Sequence, residues 1–496
     1  MKKHTATLTN LRLDSNQAMP LHYQLYDGIR SAILNGQLAA HTRLPASRTL
    51  AQELGISRNT VMDAYAQLLS EGYIEGKIGS GTYVTHPLPD TVLQLGSTTG
   101  IAHTAPQRSP SQRGKLLAST PVSISRDTGY PRPFQPGLPA FDTFPFDIWA
   151  RLMARYWRHP PSELLSYGEP NGYLPLREAI AEYLIVARGV RCTEEQIIIV
   201  AGSQQGLDLA ARVLLDPGDK VWIEDPGYIG ARGALQSAGA DLVPVPLDQE
   251  GLNITEAIKR CPNARLAYIT PSHQYPLGVT MSLSRRLALL EWAHHVGAWI
   301  LEDDYDSEYR YTGRPLPALQ GLDSQNRTVY LGTLSKTLFP SLRLGYMVVP
   351  VDLVNAFTAA KALLDRHAPS VEQAVLAAFI TEGHFARHIR RTRILYAERQ
   401  AVLLEAAARE LGGFLEIGPA QAGMHLIGYL PEGMDDQAVS RAVAEFGVNA
   451  PALSSYALMP QPRGGLLLGY TAFTQSDIIR AVYRLARAVH TYPALL

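Results

Sequence analysis

Tyr330-Leu-Gly-Thr-Leu-Ser-Lys-Thr-Leu-Phe-Pro-Ser-Leu-Arg343-Leu-Gly-Tyr346 begins as an apolar run, breaks into a hydroxyl-rich turn around Lys336, and turns apolar again after Arg343. Similar short runs lie at 197–200, 221–224, 266–270, 299–303, 329–332 and 345–349, with helical stretches between them. That alternation predicts an α/β domain from about residue 134 to 496, built on a mostly parallel sheet covered on both faces. Ligands of such sheets sit beyond the carboxyl ends of the strands. The polar clusters fall there: Gly202-Ser203-Gln204, Asp225-Pro-Gly-Tyr228, Pro271-Ser-His-Gln-Tyr-Pro-Leu-Gly278, Glu302-Asp-Asp-Tyr305 and Thr333-Leu-Ser-Lys336.

Lys336 lies 33 positions after Asp303 and seven before Arg343. An amine for a Schiff base, a carboxylate for a pyridinium nitrogen and a cation for a phosphate are the parts that hold pyridoxal 5'-phosphate. On this reading Lys336 is the Schiff-base lysine and Asp303 keeps the ring nitrogen protonated. Tyr305 bonds the ring hydroxyl and Tyr228 stacks on the ring. Gly202, Ser203 and Gln204 open a helix whose amides face the phosphate, and Thr333, Ser335 and Arg343 surround it. Taken singly, each residue has an ordinary surface or capping explanation; convergence of five strand ends carries the assignment.

A different pattern occupies the N-terminus. Leu25, Tyr26, Ile29, Ala32 and Ile33 fall at helical spacing and stop at Asn35-Gly36. Residues 46–54 predict a second short helix, Gly55-Ile56 a tight turn, and Ser57 to Leu69 a third helix with Val61, Tyr65 and Leu68 inward. Helix, turn and helix in this order are a helix-turn-helix. Ser57 suits the N-cap, leaving Arg58, Asn59 and Thr60 in the exposed first turn that meets base edges and phosphates. Residues 71–84 read as two strands around a glycine-rich tip, a wing.

The remaining composition narrows the field. The 496 residues carry 45 basic and 45 acidic side chains, so nucleic-acid contact must be local rather than spread over a basic surface. Cys192 and Cys261 are too few for a disulfide framework or a cysteine-rich metal site. No apolar leader follows the N-terminus and no stretch reaches a membrane span, so a cytoplasmic protein with no membrane partner is expected. Between 85 and 133, seven prolines and many Ser, Thr, Gln and Gly residues interrupt any period. That stretch reads as a flexible linker, about 150 Å long at full extension.

The N-terminal residues Arg43-Leu-Pro-Ala-Ser-Arg48, Leu54-Gly-Ile-Ser-Arg-Asn-Thr-Val61, Leu68-Leu-Ser-Glu-Gly72 and Gly79-Ser-Gly-Thr-Tyr-Val84 resemble, in order, the winged helix-turn-helix of GntR-type regulators. The resemblance implies contact with double-stranded operator DNA by Arg43, Ser47, Arg48, Ser57, Arg58, Asn59 and Thr60, with Gly81 at the wing. Arg43 and Arg48 suit phosphates, while Arg58 and Asn59 suit base edges. The large domain resembles fold-type I aminotransferases, and Tyr167 falls in a segment like the one whose tyrosine reaches the neighbouring subunit's phosphate. A homodimer is thereby implied.

Two positions depart from active aminotransferases. Tyr275 stands where an asparagine contacts the ring hydroxyl, and Leu467 stands where an arginine clamps a substrate carboxylate. Arg232 offers itself as a replacement anion site or as a helix-surface residue. The whole chain resembles the MocR subgroup of GntR-type regulators. That implies a head-to-tail dimer and an aminotransferase-like domain used as a sensor of pyridoxal phosphate, or of a small amine or amino acid. A working aminotransferase with an accessory DNA-binding domain, and a DNA-binding protein whose large domain only dimerises, are the competing readings.

Overall fold

The computed structural model describes residues 13–14, 17, 19–77, 80–86, 108–120, 131–313 and 316–491. The chain divides into two compact units, Met1–Ser109 and Pro110–Leu496. Most of the stretch read as a linker lies outside the described residues; within it, Gln112–Ser119 form one helix, capped by the Ser111 hydroxyl.

In the first unit, α1 (Leu21–Leu34), α2 (Ser47–Leu54) and α3 (Arg58–Ser70) precede an antiparallel pair, β1 (Ile74–Lys77) and β2 (Gly81–Val84). Leu25, Ile29, Leu50, Val61, Leu68 and Val84 are fully buried together and form its core. Gly55 ends α2 at φ 65°, the left-handed conformation a side chain resists, which lets the chain reverse in one residue. Ser57 then caps α3 by accepting from the Thr60 amide at 3.1 Å.

The second unit is built on eight strands: β3 (Ile197–Val200), β4 (Lys220–Asp225), β5 (Asp241–Asp248), β6 (Gly251–Leu252), β7 (Leu266–Ile269), β8 (Trp299–Asp304), β9 (Thr328–Thr333) and β10 (Gly345–Val348), in the order β3-β10-β9-β8-β7-β4-β5-β6. Pairs from β5 through β4, β7 and β8 to β9 are parallel; β10 runs antiparallel to both its neighbours. Successive side chains enter different cores: Leu266 and Tyr268 one, Ala267 and Ile269 another. Both faces are therefore covered, which is why these strands read as unbroken apolar runs.

A second sheet joins β11 (Glu416–Ile417), β12 (His425–Tyr429) and β13 (Gly465–Gly469). The helix Ile229–Ser237 packs against both the helix Ser203–Leu214 and the helix Gln112–Ser119. Strand β5 carries Pro244 and Pro246, residues that ordinarily demote a strand, and the apolar-run pattern does not mark it.

Candidate cofactor site and nucleic-acid interface

Beyond the ends of β8 and β9 lies a cavity of about 550 Å³. Ser203, Gln204, Tyr228, Asp303, Tyr305, Thr333, Ser335, Lys336 and Arg343 all line it. Gly202 sits beside them at φ 86°, and a Cβ there would come within 3.3 Å of the Arg343 guanidinium, so the glycine permits that approach. Tyr167 does not line this cavity. It is 79% exposed, with the Arg366 guanidinium 4.6 Å from its ring centre.

The buried end of the cavity belongs to Asp303. Oδ2 accepts from the Tyr268 hydroxyl at 2.8 Å, while Oδ1 is buried without a hydrogen-bond partner. Burial pushes this carboxyl up to about 7, and the Tyr268 bond pulls against that. An orphaned carboxylate oxygen calls for a donor, and a protonated pyridine nitrogen is such a donor.

Lys336 donates to the Gly137 carbonyl at 2.9 Å, and burial lowers its pKa, raising the share of nucleophilic free amine. Arg343 donates to the Ala201 carbonyl at 2.6 Å beside the amino end of the helix Ser203–Leu214, where phosphate is favoured. The residues present fit pyridoxal phosphate.

Tyr305 is held from behind. His273 Nδ1 lies 2.9 Å from its hydroxyl and 3.0 Å from Asp306 Oδ2, with both His273 and Asp306 buried. Tyr275 fills the place expected of an asparagine with an aromatic ring, set edge-on to Tyr228, Tyr305 and Tyr456. Leu467 is fully buried with Ile427, Leu453 and Tyr275.

Arg232 takes neither expected role. It is buried, its guanidinium donates to the Tyr456 carbonyl at 2.6 Å, and it does not line the cavity. The same loop is tied down by Asp225, which accepts from the Leu458 and Met459 amides at 2.6 and 2.9 Å, and by the Gly227 amide, which donates to the Tyr456 carbonyl.

Sequence reasoning missed Gln135, Gly137, His425, Asn449, Ser455 and Tyr456, which close the cavity from segments before and after the large sheet. They follow no strand-end pattern; only tertiary folding brings them there.

In the first unit, Arg58 and Asn59 are exposed at the start of α3, and Arg48 is exposed on α2. Ser57 and Thr60 share a hydroxyl contact at 3.0 Å. Ser47 is half-buried, as is Arg43, which bridges to Tyr83 of the wing. A Cβ on Gly81 would meet the Arg43 guanidinium at 2.8 Å, so that glycine keeps Arg43 against the wing backbone.

Residues 21–84 match the family described as bacterial regulatory proteins, gntR family, and residues 139–485 match aminotransferase class I and II. Over 96% of this chain and 95% of the relative, 44% of residues are identical to the probable rhizopine catabolism regulatory protein MocR of Rhizobium meliloti. This chain is a MocR-type member of the GntR family. It is also 31% identical, over 97% of its length and 98% of the relative, to the pyridoxine biosynthesis transcriptional regulator PdxR of Corynebacterium glutamicum.

Among solved structures, the α-aminoadipate aminotransferase LysN of Thermus thermophilus, complexed with N-(5'-phosphopyridoxyl)-L-leucine, superposes with a TM-score of 0.68 at 30% identity, covering 79% of this chain and 96% of that one. A MocR-type regulator thus joins a DNA-binding head to an aminotransferase fold. Among the described residues, no helix is long and apolar enough to cross a membrane, and no cluster could hold a metal ion.

Proposed function

We propose that this chain is a transcriptional regulator that binds operator DNA through α2, α3 and the wing, and senses pyridoxal phosphate or a small amine or amino acid through the cavity at Lys336. The observation that carries the reading is Asp303 Oδ1, buried and unpartnered in the same cavity as Lys336 and Arg343. When bound, pyridoxal phosphate supplies an aldehyde carbon on which amines exchange. Lys336 would provide the resident amine, Asp303 would accept from a protonated ring nitrogen and Tyr228 would pack on the ring. Arg343, Ser203, Ser335 and Thr333 would hold the phosphate, and Tyr305, braced by His273, would bond the ring hydroxyl.

Leu467 supports a sensing rather than a turnover role, because a leucine gives a substrate carboxylate no charge-assisted anchor. The exposed Tyr167 suits a second copy of the chain, so a head-to-tail homodimer is part of the proposal, as is a linker between residues 85 and 133. The relatives named for rhizopine catabolism and pyridoxine biosynthesis support target genes in amine or vitamin B6 metabolism.

Borohydride reduction of the loaded protein followed by peptide mapping tests the site. The reduced adduct is expected on Lys336 and lost in Lys336→Ala; an adduct on another lysine overturns the assignment.

A further inference from the structure

Behind Tyr305 lie two buried groups, and which of their atoms carry hydrogen decides what Tyr305 can do. His273 Nδ1 stands 2.9 Å from the Tyr305 hydroxyl and 3.0 Å from Asp306 Oδ2, while its Nε2 is buried without a hydrogen-bond partner. Two glycines open the slot at that end of the ring: a Cβ on Gly423 would lie 2.4 Å from Nε2, and one on Gly278 3.1 Å. The neighbouring groups are engaged elsewhere. His425, 5.7 Å away between ring centres, donates through Nε2 to the Pro276 carbonyl, and burial holds it down at about 4, so it is neutral at physiological pH. Tyr275, edge-on to Tyr305, donates its hydroxyl hydrogen to the Tyr456 hydroxyl at 3.3 Å.

The unpartnered nitrogen settles the order of the hydrogens. An imidazole with hydrogen on Nε2 alone would bury an N–H with no acceptor and turn the Nδ1 lone pair toward the Asp306 carboxylate, two unfavourable arrangements at once. With hydrogen on Nδ1, the N–H faces two oxygens and only an acceptor lone pair is left unmatched, the less costly orphan. A nitrogen that carries hydrogen there cannot accept one from Tyr305. Burial, with Asp306, Tyr275, Asp303 and Glu224 nearby, pushes the Tyr305 phenol well up, so it keeps its own hydrogen. That hydrogen finds no acceptor on the His273 side and is left for the cavity, which Tyr305 lines with Asp303 and Lys336.

We infer that Asp306 and His273 are positioning residues that lock Tyr305 as a hydrogen-bond donor to the cofactor's ring oxygen: Asp306 fixes the imidazole tautomer, and the imidazole denies Tyr305 an acceptor on that side. A donor held there favours the form of the bound cofactor whose ring oxygen is ionised, which absorbs in the visible. The competing form, whose ring oxygen keeps its hydrogen, absorbs in the near ultraviolet. The two forms hold the same number of protons, one of which sits either on the ring oxygen or on the Lys336 nitrogen. This rests on the reading of the cavity as a pyridoxal phosphate site.

The test compares absorption spectra, at one neutral pH, of full-length protein loaded with pyridoxal phosphate, unmodified and as Tyr305→Phe, His273→Phe, His273→Asn and Asp306→Asn. The unmodified protein is expected to absorb chiefly in the visible. Tyr305→Phe and His273→Phe are each expected to lower the ratio of visible to near-ultraviolet absorption by about tenfold, the equivalent of one hydrogen bond to a charged oxygen. His273→Asn keeps an N–H near the Nδ1 position and is expected to stay within about threefold of the unmodified ratio. Asp306→Asn, nearly isosteric, is expected to lower the ratio by at least about threefold, and it carries the test if thermal melts show that His273→Phe does not fold.

An unchanged ratio in Tyr305→Phe overturns the inference, as does one in Asp306→Asn or in a folded His273→Phe. A fall in His273→Asn as large as that in His273→Phe also overturns it, because the ring would then act only by filling its slot. So does an unmodified protein that borohydride traps on Lys336 yet that absorbs chiefly in the near ultraviolet. Absence of both bands and of the trapped adduct in unmodified protein is a separate failure: it overturns the cofactor reading, and the inference falls with it.

Discussion

Asp303 is the residue on which the cavity turns, and its single bonded oxygen sets a measurable demand. Asp303→Asn keeps the shape and removes the charge that stabilises a protonated ring nitrogen. Retention of pyridoxal phosphate through dialysis is expected to fall by about tenfold or more, for the loss of one charge-assisted hydrogen bond. Gly137 makes a second demand. Its φ is 75°, and a Cβ would lie 2.6 Å from Lys336 Nζ, so Gly137→Ala is expected to cost about 1–2 kcal/mol in backbone strain and to displace the lysine amine. Thermal melting and the extent of borohydride trapping report these two effects separately. Lys336, Asp303 and Tyr228 were legible in the sequence because each ends or closely follows a strand, and Arg343 because it lies seven residues after Lys336, just before the next apolar run. Gly137, His425 and Asn449 were not, because their positions follow from how the smaller sheet and the segment before it close over the larger one.

At the level of elements, α3 carries the head's chemistry on a helix whose start depends on one hydroxyl. Ser57→Ala is expected to destabilise the head by about 1 kcal/mol, read in thermal melts of the full chain. Arg58→Ala, at an exposed first-turn position, is expected to cost roughly 1–3 kcal/mol of operator affinity and to relax specificity at one base pair. Arg43→Ala is expected to weaken all sequences alike and to lower the salt slope by about 1, which titrations at several salt concentrations would show. The three helices and the wing followed their apolar period closely, since each buries one face. Strand β5 did not, because its prolines sit where the ladder leaves their missing amides unneeded, and that depends on neighbours rather than on local sequence.

Over the molecule as a whole, buried carboxyls set a pH dependence. Glu224, which accepts from Thr270 and Gln274, and Glu302, which accepts from the Leu319 and Gln320 amides, are each pushed up to about 7 by burial. Unfolded glutamates titrate near 4.3, so between about 4.3 and 7 the folded chain holds more protons. The stability these two groups contribute is therefore fully present below that window and is lost as pH rises through it, by about 1.4 kcal/mol per pH unit for each group. Melting curves across this range should show the decline, and Glu302→Gln should make it shallower by about the share of one group, roughly 1.4 kcal/mol per pH unit. On the proposed function, operator DNA and pyridoxal phosphate are expected to alter each other's affinity by the same factor, which titrating pyridoxal phosphate with and without operator DNA would measure.

The clamp at Asp225 gives that reciprocity a mechanical form. One carboxylate pins the loop bearing Ser455 and Tyr456 through the Leu458 and Met459 amides, while Arg232, on the helix Ile229–Ser237, holds the same loop at the Tyr456 carbonyl. That helix in turn packs on Gln112–Ser119. Pocket, clamp and the helix Gln112–Ser119 therefore form one connected lever within the second unit, and Asp225→Asn, by loosening its fulcrum, is expected to weaken the response of DNA affinity in the full chain to added pyridoxal phosphate.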